Sequence, residues 1–191
     1  MKKNLIKGLL ISSLLTSGLF ADVYVSAKLG IMNFGGSAET EDYTYKEDAT
    51  DSPLTLGLGY ASDSDNKFGL YYKKDELAVD AKYFTAIDVN TFGIDGEIGF
   101  SSLKGDVGDG ELFPTLGFGL GFGSADIDNY DGDIVAIEFD VSIGLNYKIS
   151  SFEVTADLYR RAVALADTDN DDIDTLTFVN NGIELGINYR F

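Results

Sequence analysis

The chain has 191 residues, with 32 acidic side chains against 14 basic ones and a net charge of −18. That balance argues against nucleic acid as a partner, because phosphate contacts need Lys and Arg. With no Cys and no His, disulfides, a lipid-anchoring cysteine, thiol nucleophiles and imidazole bases are all excluded.

Residues 1–21 read as a secretory leader. Lys2, Lys3 and Lys7 form a basic region, Gly8 to Leu15 an apolar one, and Ala21 stands before Asp22 at the expected cleavage point. The apolar run is too short for a spanning helix, and no later run reaches the length that one needs. Loss of the three lysines takes the 14 bases to 11 against 32 acids. Residues 22–191 are expected to form one domain.

The domain reads as a series of alternating strands. Val23 to Met32 places Val23, Val25, Ala27, Leu29 and Ile31 on one face and Tyr24, Ser26, Lys28 and Gly30 on the other. Asn33 to Ser52 is acidic and predicts a long loop. Pro53 to Ala61 is the second strand, with Leu54, Leu56, Leu58 and Tyr60 outward; Ser62 to Asn66 is a short turn. Lys67 to Lys73 returns with Phe68, Leu70 and Tyr72 outward. Lys74 to Asn90 alternates again through Leu77, Val79, Ala81 and Tyr83. As a separate strand it would make nine, and single-chain barrels have even counts. It is therefore expected to extend the neighbouring strands as a hairpin arm, with a ten-stranded barrel as the alternative.

Thr91 to Phe100 is the fourth strand, Ser101 to Leu112 a polar turn, and Phe113 to Gly123 the fifth strand. There Leu116, Phe118, Leu120 and Phe122 alternate with Gly117, Gly119, Gly121 and Gly123. A glycine row weakens an ordinary strand but admits neighbouring side chains into a tight interior. Ser124 to Asp133 is an acidic loop. Ile134 to Tyr147 keeps one apolar parity through seven positions, Lys148 to Ser151 is a tight turn, and Phe152 to Val163 is the seventh strand. Ala164 to Asp174 is a third acidic loop. Thr175 to Phe191 is the last strand, with a bulge expected in its polar part, Val179 to Gly182.

Its end, I-E-L-G-I-N-Y-R-F, puts Ile183, Leu185, Ile187, Tyr189 and Phe191 on one face. Such a strand would be a sticky edge in water, whereas a closed barrel in a membrane pairs the edge and turns the apolar face to lipid. Gly is abundant (22), Pro scarce (2), and Phe (13) and Tyr (11) are frequent. Aromatics mark the predicted short-turn ends as a girdle: Tyr60 and Phe68, Phe100 and Phe113, Tyr147 and Phe152, Tyr189 and Phe191. The expected fold is an all-β transmembrane antiparallel up-and-down barrel of eight strands. A soluble lipocalin-like barrel would need a polar outer face, and here the outward parity is the apolar one.

Glu184, Gly186, Tyr189 and Phe191 match the closing-strand assembly signal of bacterial outer-membrane barrels: a polar residue, Gly two later, then two aromatic or hydrophobic residues at the end. With the "PTLGFGLGFG" stretch, the chain resembles the small outer-membrane barrel superfamily of opacity-type proteins, OmpW-type proteins and the OmpA-type membrane domain. The resemblance implies export to the bacterial outer membrane, recognition by the barrel-assembly machinery, and contact with lipid and lipopolysaccharide. No peptidoglycan-binding domain of the OmpA type is expected after the barrel. The lipid-A-modifying, phospholipase-type and protease-type barrels use a catalytic His that this chain lacks, so no enzyme is expected.

Inward parity predicts a lumen network of Lys28, Lys73, Asp95, Glu97, Glu138, Asp140, Glu153, Asp157, Arg161, Glu184 and Arg190. The pairs Asp95/Glu97 and Glu138/Asp140 resemble glycosidase carboxylates, but structural pairing with the inward bases is the stronger reading. Four inward bases do not neutralise seven acids. The lumen is therefore expected to be either plugged by salt bridges or a narrow cation-preferring path, and bulky plug residues are not obvious.

In the loops, Asp126, Asp128, Asp131 and Asp133, and Asp167, Asp169, Asp171 and Asp174, offer oxygen ligands for loosely bound divalent cations. The EF-hand pattern fails, because Asp172 stands where Gly is needed and Phe178 at the twelfth position. Solvated acidic loops are the simpler reading, and no cofactor is expected. Two functions remain. One is a structural or surface-interaction protein working through loops 34–52, 124–133 and 164–174 on an extracellular ligand. The other is an OmpW-type conduit for small solutes or cations.

Overall fold

The computed structural model describes residues 21–39, 44–45, 53–77, 87–127, 132–167 and 175–191. Eight long strands follow one another: β1 (Ala21–Glu39), β2 (Leu54–Ser62), β3 (Lys67–Leu77), β4 (Ile87–Gly99), β5 (Gly110–Ile127), β6 (Ile134–Ile149), β7 (Phe152–Asp167) and β8 (Leu176–Arg190). Each pairs antiparallel with the next, and β8 pairs back onto β1, so the sheet closes. The ten-stranded alternative is thereby corrected. β3 and β4 pair without interruption from Lys67↔Glu97 to Leu77↔Ile87, because the arm continues the two strands rather than adding others. Its outer part, residues 78–86, lies outside the described residues, as does the leader before Ala21. No helix among the described residues is long and apolar enough to cross a membrane.

Several boundaries move outward from the sequence expectation. Residues 33–39, 124–127 and 164–167, expected in loops, are strand. A spanning strand needs about 9–11 residues. β5 has 18, β6 and β7 have 16 each, and β8 has 15, so these strands rise past any bilayer. The expected turn at 101–112 contains a three-residue strand, Gly105–Val107, folded back onto Gly110–Leu112. The bulge expected in β8 lies instead on its partner. β8 pairs continuously with β7, while β1 carries one extra residue between Gly30 and Met32 and another between Asn33 and Gly35. Gly35 has φ +116°, which favours glycine, and its N–H donates to Asn33 Oδ1 at 2.8 Å.

The two faces of the wall exchange character along the strands. Going up β5, Leu116, Phe118, Leu120 and Phe122 face outward, followed on the same face by exposed Ser124 and Asp126. On β3 the outward row Phe68, Leu70, Tyr72 gives way to Lys74 and Glu76. Inside, the change is reversed. Below lie charged and polar groups; above them Leu77, Ile87, Val89, Ala136, Val163, Leu165 and Phe178 pack as one apolar cluster, each at most 3% exposed. The lower part is a lipid-facing barrel with a polar interior, and the upper part has the apolar interior of a water-soluble one. These bulky apolar groups inside the barrel are ones the alternation does not single out.

The girdle holds for Tyr60, Phe68, Phe100, Phe152, Tyr189 and Phe191, all exposed on the outside. Phe113 is the correction. It is fully buried, because it shares parity with Thr115 and the glycine row, and the Lys104 ammonium stands 5.4 Å from its ring centre. The glycine row does admit side chains from across the sheet. A Cβ at Gly119 would stand 2.8 Å from Asp140 Cγ, and one at Gly93 on the neighbouring strand 2.6 Å from Tyr71 Cζ.

The exchange of faces locates the lipid boundary on β5 between Phe122 and Ser124. Leu120→Arg should cost about 2–4 kcal/mol, and Ser124→Arg, on the same face, less than about 1 kcal/mol. Denaturant unfolding in lipid vesicles measures both, and equal costs would refute this boundary.

Candidate functional site

The interior is the part of the described structure where charge is concentrated, and it is built in tiers. All eleven residues expected in the lumen lie on the inward face. The lowest tier is set by the turn between β2 and β3. Asp65 N–H donates to Ser62 O at 3.0 Å, Ser62 N–H donates to Asn66 O at 2.8 Å, and Asp65 adopts φ +62°. That tight turn folds the Asp65 carboxylate under the barrel mouth, fully buried, where Lys104 (2.7 Å), Lys148 (3.0 Å) and Arg190 (3.2 Å) reach it. Burial pushes the Asp65 carboxyl up, but hydrogen bonds from Lys104 and Lys148 outweigh it and hold the group below its ordinary range. The same contact, with a second hydrogen bond to Glu111, raises the Lys104 ammonium.

Above it, Glu153 accepts hydrogen bonds from Lys67, from Asn146 at 2.9 Å, from Asn188 at 2.8 Å and from Arg190 at 3.0 Å. Lys67 also holds Glu97 at 2.8 Å, and Asn146 donates to Glu97 at 2.6 Å. Higher still, Lys28 pairs with Asp157 at 2.7 Å. Lys73 lies between Glu138 and Asp140, the latter at 3.2 Å, and Thr91 donates to Glu138 at 2.9 Å. Arg161 pairs with Asp75 at the foot of the apolar cluster. Asp95 and Glu184 line a cavity of about 50 Å³ between these groups.

These contacts neutralise charge rather than activate it. Glu138 and Asp140 share one lysine, and Glu97 is bound to another. Neither suspected carboxylate pair is therefore arranged as a free acid beside a free base.

The sequence reading missed several members. Lys67 and Asp75 lie on the inward parity of β3 with Lys73, and Asn146, Asn188 and Thr91 on that of their own strands, so parity carried the signal for all five. The count of four inward bases is accordingly too low. Asp65 carried no periodic signal, because a turn residue belongs to no strand face.

Of the assembly-signal residues, Glu184 and Gly186 face the lumen, whereas Tyr189 and Phe191 face out with ring centres 4.9 Å apart. Phe191 N–H donates to Val23 O at 2.9 Å and so extends the seam with β1. Of the loop aspartates, Asp126, Asp133 and Asp167 are described; Asp128, Asp131, Asp169, Asp171 and Asp174 lie outside the described residues. Among the described residues no three carboxylates come together as a metal cluster.

A closed antiparallel barrel of eight strands, with an apolar outer belt, an aromatic girdle and an ion-paired interior, defines a small outer-membrane barrel protein. The chain belongs to the outer membrane protein beta-barrel domain family, whose model matches residues 8–191. Among solved structures it is similar to Neisserial surface protein A, at 14% identity and a TM-score of 0.54, over 88% of this chain and 97% of that one. OprG from Pseudomonas aeruginosa aligns at 11% identity and 0.45, over 90% and 96% of the two chains. Ail of Yersinia pestis aligns at 12% identity and 0.42, over 90% and 97%. No curated protein matches the chain in sequence.

The Asp65 contacts predict a pH dependence. A carboxyl whose folded pKa is lowered contributes stability above its unfolded value, and that contribution is lost as pH falls through the folded one. Asp65→Asn, which keeps shape and tolerates positive φ, should destabilise the barrel by about 3 kcal/mol at pH 7. The difference from the parent should shrink as pH drops below about 4. Urea unfolding at both pH values checks this, and a difference independent of pH would refute it.

Proposed function

We propose that this outer-membrane barrel is a non-enzymatic structural or surface-interaction protein that presents its acidic loops to the outside and does not conduct. The observation that carries this reading is the filling of the lumen at both ends. Leu77, Ile87, Val163 and Phe178 pack across the loop end, each at most 1% exposed, and the Asp65 cluster with its three cations lies across the turn end. Work on an extracellular ligand then falls to the loops, which the extended strands carry clear of the membrane. Divalent cations held loosely by loop aspartates would bridge them to lipopolysaccharide phosphates. The absence of His and Cys, with most interior acids paired to Lys or Arg, supports the non-enzymatic reading. Residues 1–21 serve in this reading as the export leader.

A second reading, a narrow conduit for cations or small solutes, draws on the cavity beside Asp95 and Glu184. Single-channel recording in a planar bilayer separates the two. Folded protein, verified by heat-modifiable gel mobility, should give no steps. Reproducible cation-selective steps would establish the conduit instead.

The end of β8 is proposed as the signal read by the barrel-assembly machinery. Phe191→Ser leaves the lumen untouched, because the side chain faces outward and is 72% exposed. It should lower the outer-membrane level several-fold while precursor processing continues. Unchanged levels would remove the closing-strand role.

A further inference from the structure

Most interior carboxylates among the described residues hold a cation, and the two that do not lie together. Among the described residues, seven interior carboxylates are ion-paired: Asp65, Asp75, Glu97, Glu138, Asp140, Glu153 and Asp157. The cations in those pairs are Lys28, Lys67, Lys73, Lys104, Lys148, Arg161 and Arg190, of which Lys104 also holds the more exposed Glu111 at 2.9 Å. Two carboxylates, Asp95 and Glu184, remain without an ion pair, and both line the same cavity of about 50 Å³. Glu184 is only 8% exposed, and its carboxylate forms no hydrogen bond within the described residues. Asp95 Oδ1 and Thr55 Oγ1, which also belong to this wall, are buried without partners.

We propose that this cavity binds one hard divalent cation of the calcium type. Two unpaired carboxylates in a low-dielectric interior are neutralised by protons or by cations, and a single divalent ion supplies both charges at once. The donors are oxygens: the carboxylates of Asp95 and Glu184, and the hydroxyls of Thr55, Ser26 and Ser142. Carboxylate and hydroxyl oxygens suit calcium or magnesium and disfavour softer metals. The volume has room for an ion and about two waters. Lys28 and Lys73 border the cavity but do not fill the role, because their ammonium groups are bound to Asp157 and to Glu138 and Asp140. This site is separate from the loop aspartates and independent of whether the barrel conducts.

The test uses the full chain refolded in detergent, with heat-modifiable mobility as the check on folding and radioactive calcium in equilibrium dialysis as the probe. The control variant Asp126→Asn/Asp133→Asn/Asp167→Asn removes the described aspartates at the loop end of the strands and should retain one bound calcium. Asp95→Asn/Glu184→Gln should lose it, and Asp95→Asn alone should weaken it roughly tenfold or more. The single variant leaves the β8 signal intact, so a folding failure of the double variant does not block the test. Unlabelled magnesium competing more strongly than calcium would assign the site to magnesium and keep the proposal. No calcium or magnesium bound to the parent chain would overturn it and leave protons as the neutralising species. Binding that persists in folded Asp95→Asn and Asp95→Asn/Glu184→Gln would overturn it too.

Discussion

A strand crossing a bilayer must find backbone partners on both edges, since hydrocarbon offers no hydrogen bonds and each unsatisfied amide there costs several kcal/mol. The pairing of β8 with β1 meets that requirement for the whole sheet. The seam also absorbs the irregularity of the barrel. Two extra residues in β1 let a straight β8 run alongside, and Phe191 carries the pairing to Val23. Were the seam open, both edge strands would expose unpaired amides to lipid and the apolar belt would lose its support.

Closure creates the second constraint. A barrel of eight strands has an interior only wide enough for side chains, so what points inward must fill it without leaving charge stranded. Within the lipid-facing part this is done with ion pairs and amides. Lys67 joins Glu97 to Glu153, Asn146 bridges the same two acids, and Lys73 lies between Glu138 and Asp140. Glycines opposite the bulky groups supply the space, as Gly119 does for Asp140. Above the belt the outer face meets water, and an apolar filling at Leu77, Ile87 and Phe178 becomes the favourable one. One sheet thus contains two solvents' worth of patterning, and outside the bulged part of β1 the parity that points inward does not change.

That exchange is visible in the sequence as a change of apolar parity. In β3 the apolar parity passes from Phe68, Leu70 and Tyr72 to Leu77, and Val79 and Ala81 continue it. The switch suggested a further strand. In the structure it marks the point where the strand leaves lipid and the preferred face of an apolar side chain reverses.

The sequence by itself determined the class of fold and the facing of its side chains. A period of two is a local property of the backbone, and the apolar outward row is legible strand by strand without reference to anything distant. It was also enough to place each of the eleven expected lumen residues on the inner face. What only the tertiary structure decided were the partners. Lys28 reaches Asp157 and Lys67 reaches Glu153 across the lumen, because closure brings strands far apart in the chain to face each other. Parity says that a side chain points inward but not which group it meets there. Phe113 lies inside by the parity it shares with Thr115, whereas the role of Asp65 depends on a turn tucking under three cations from other segments.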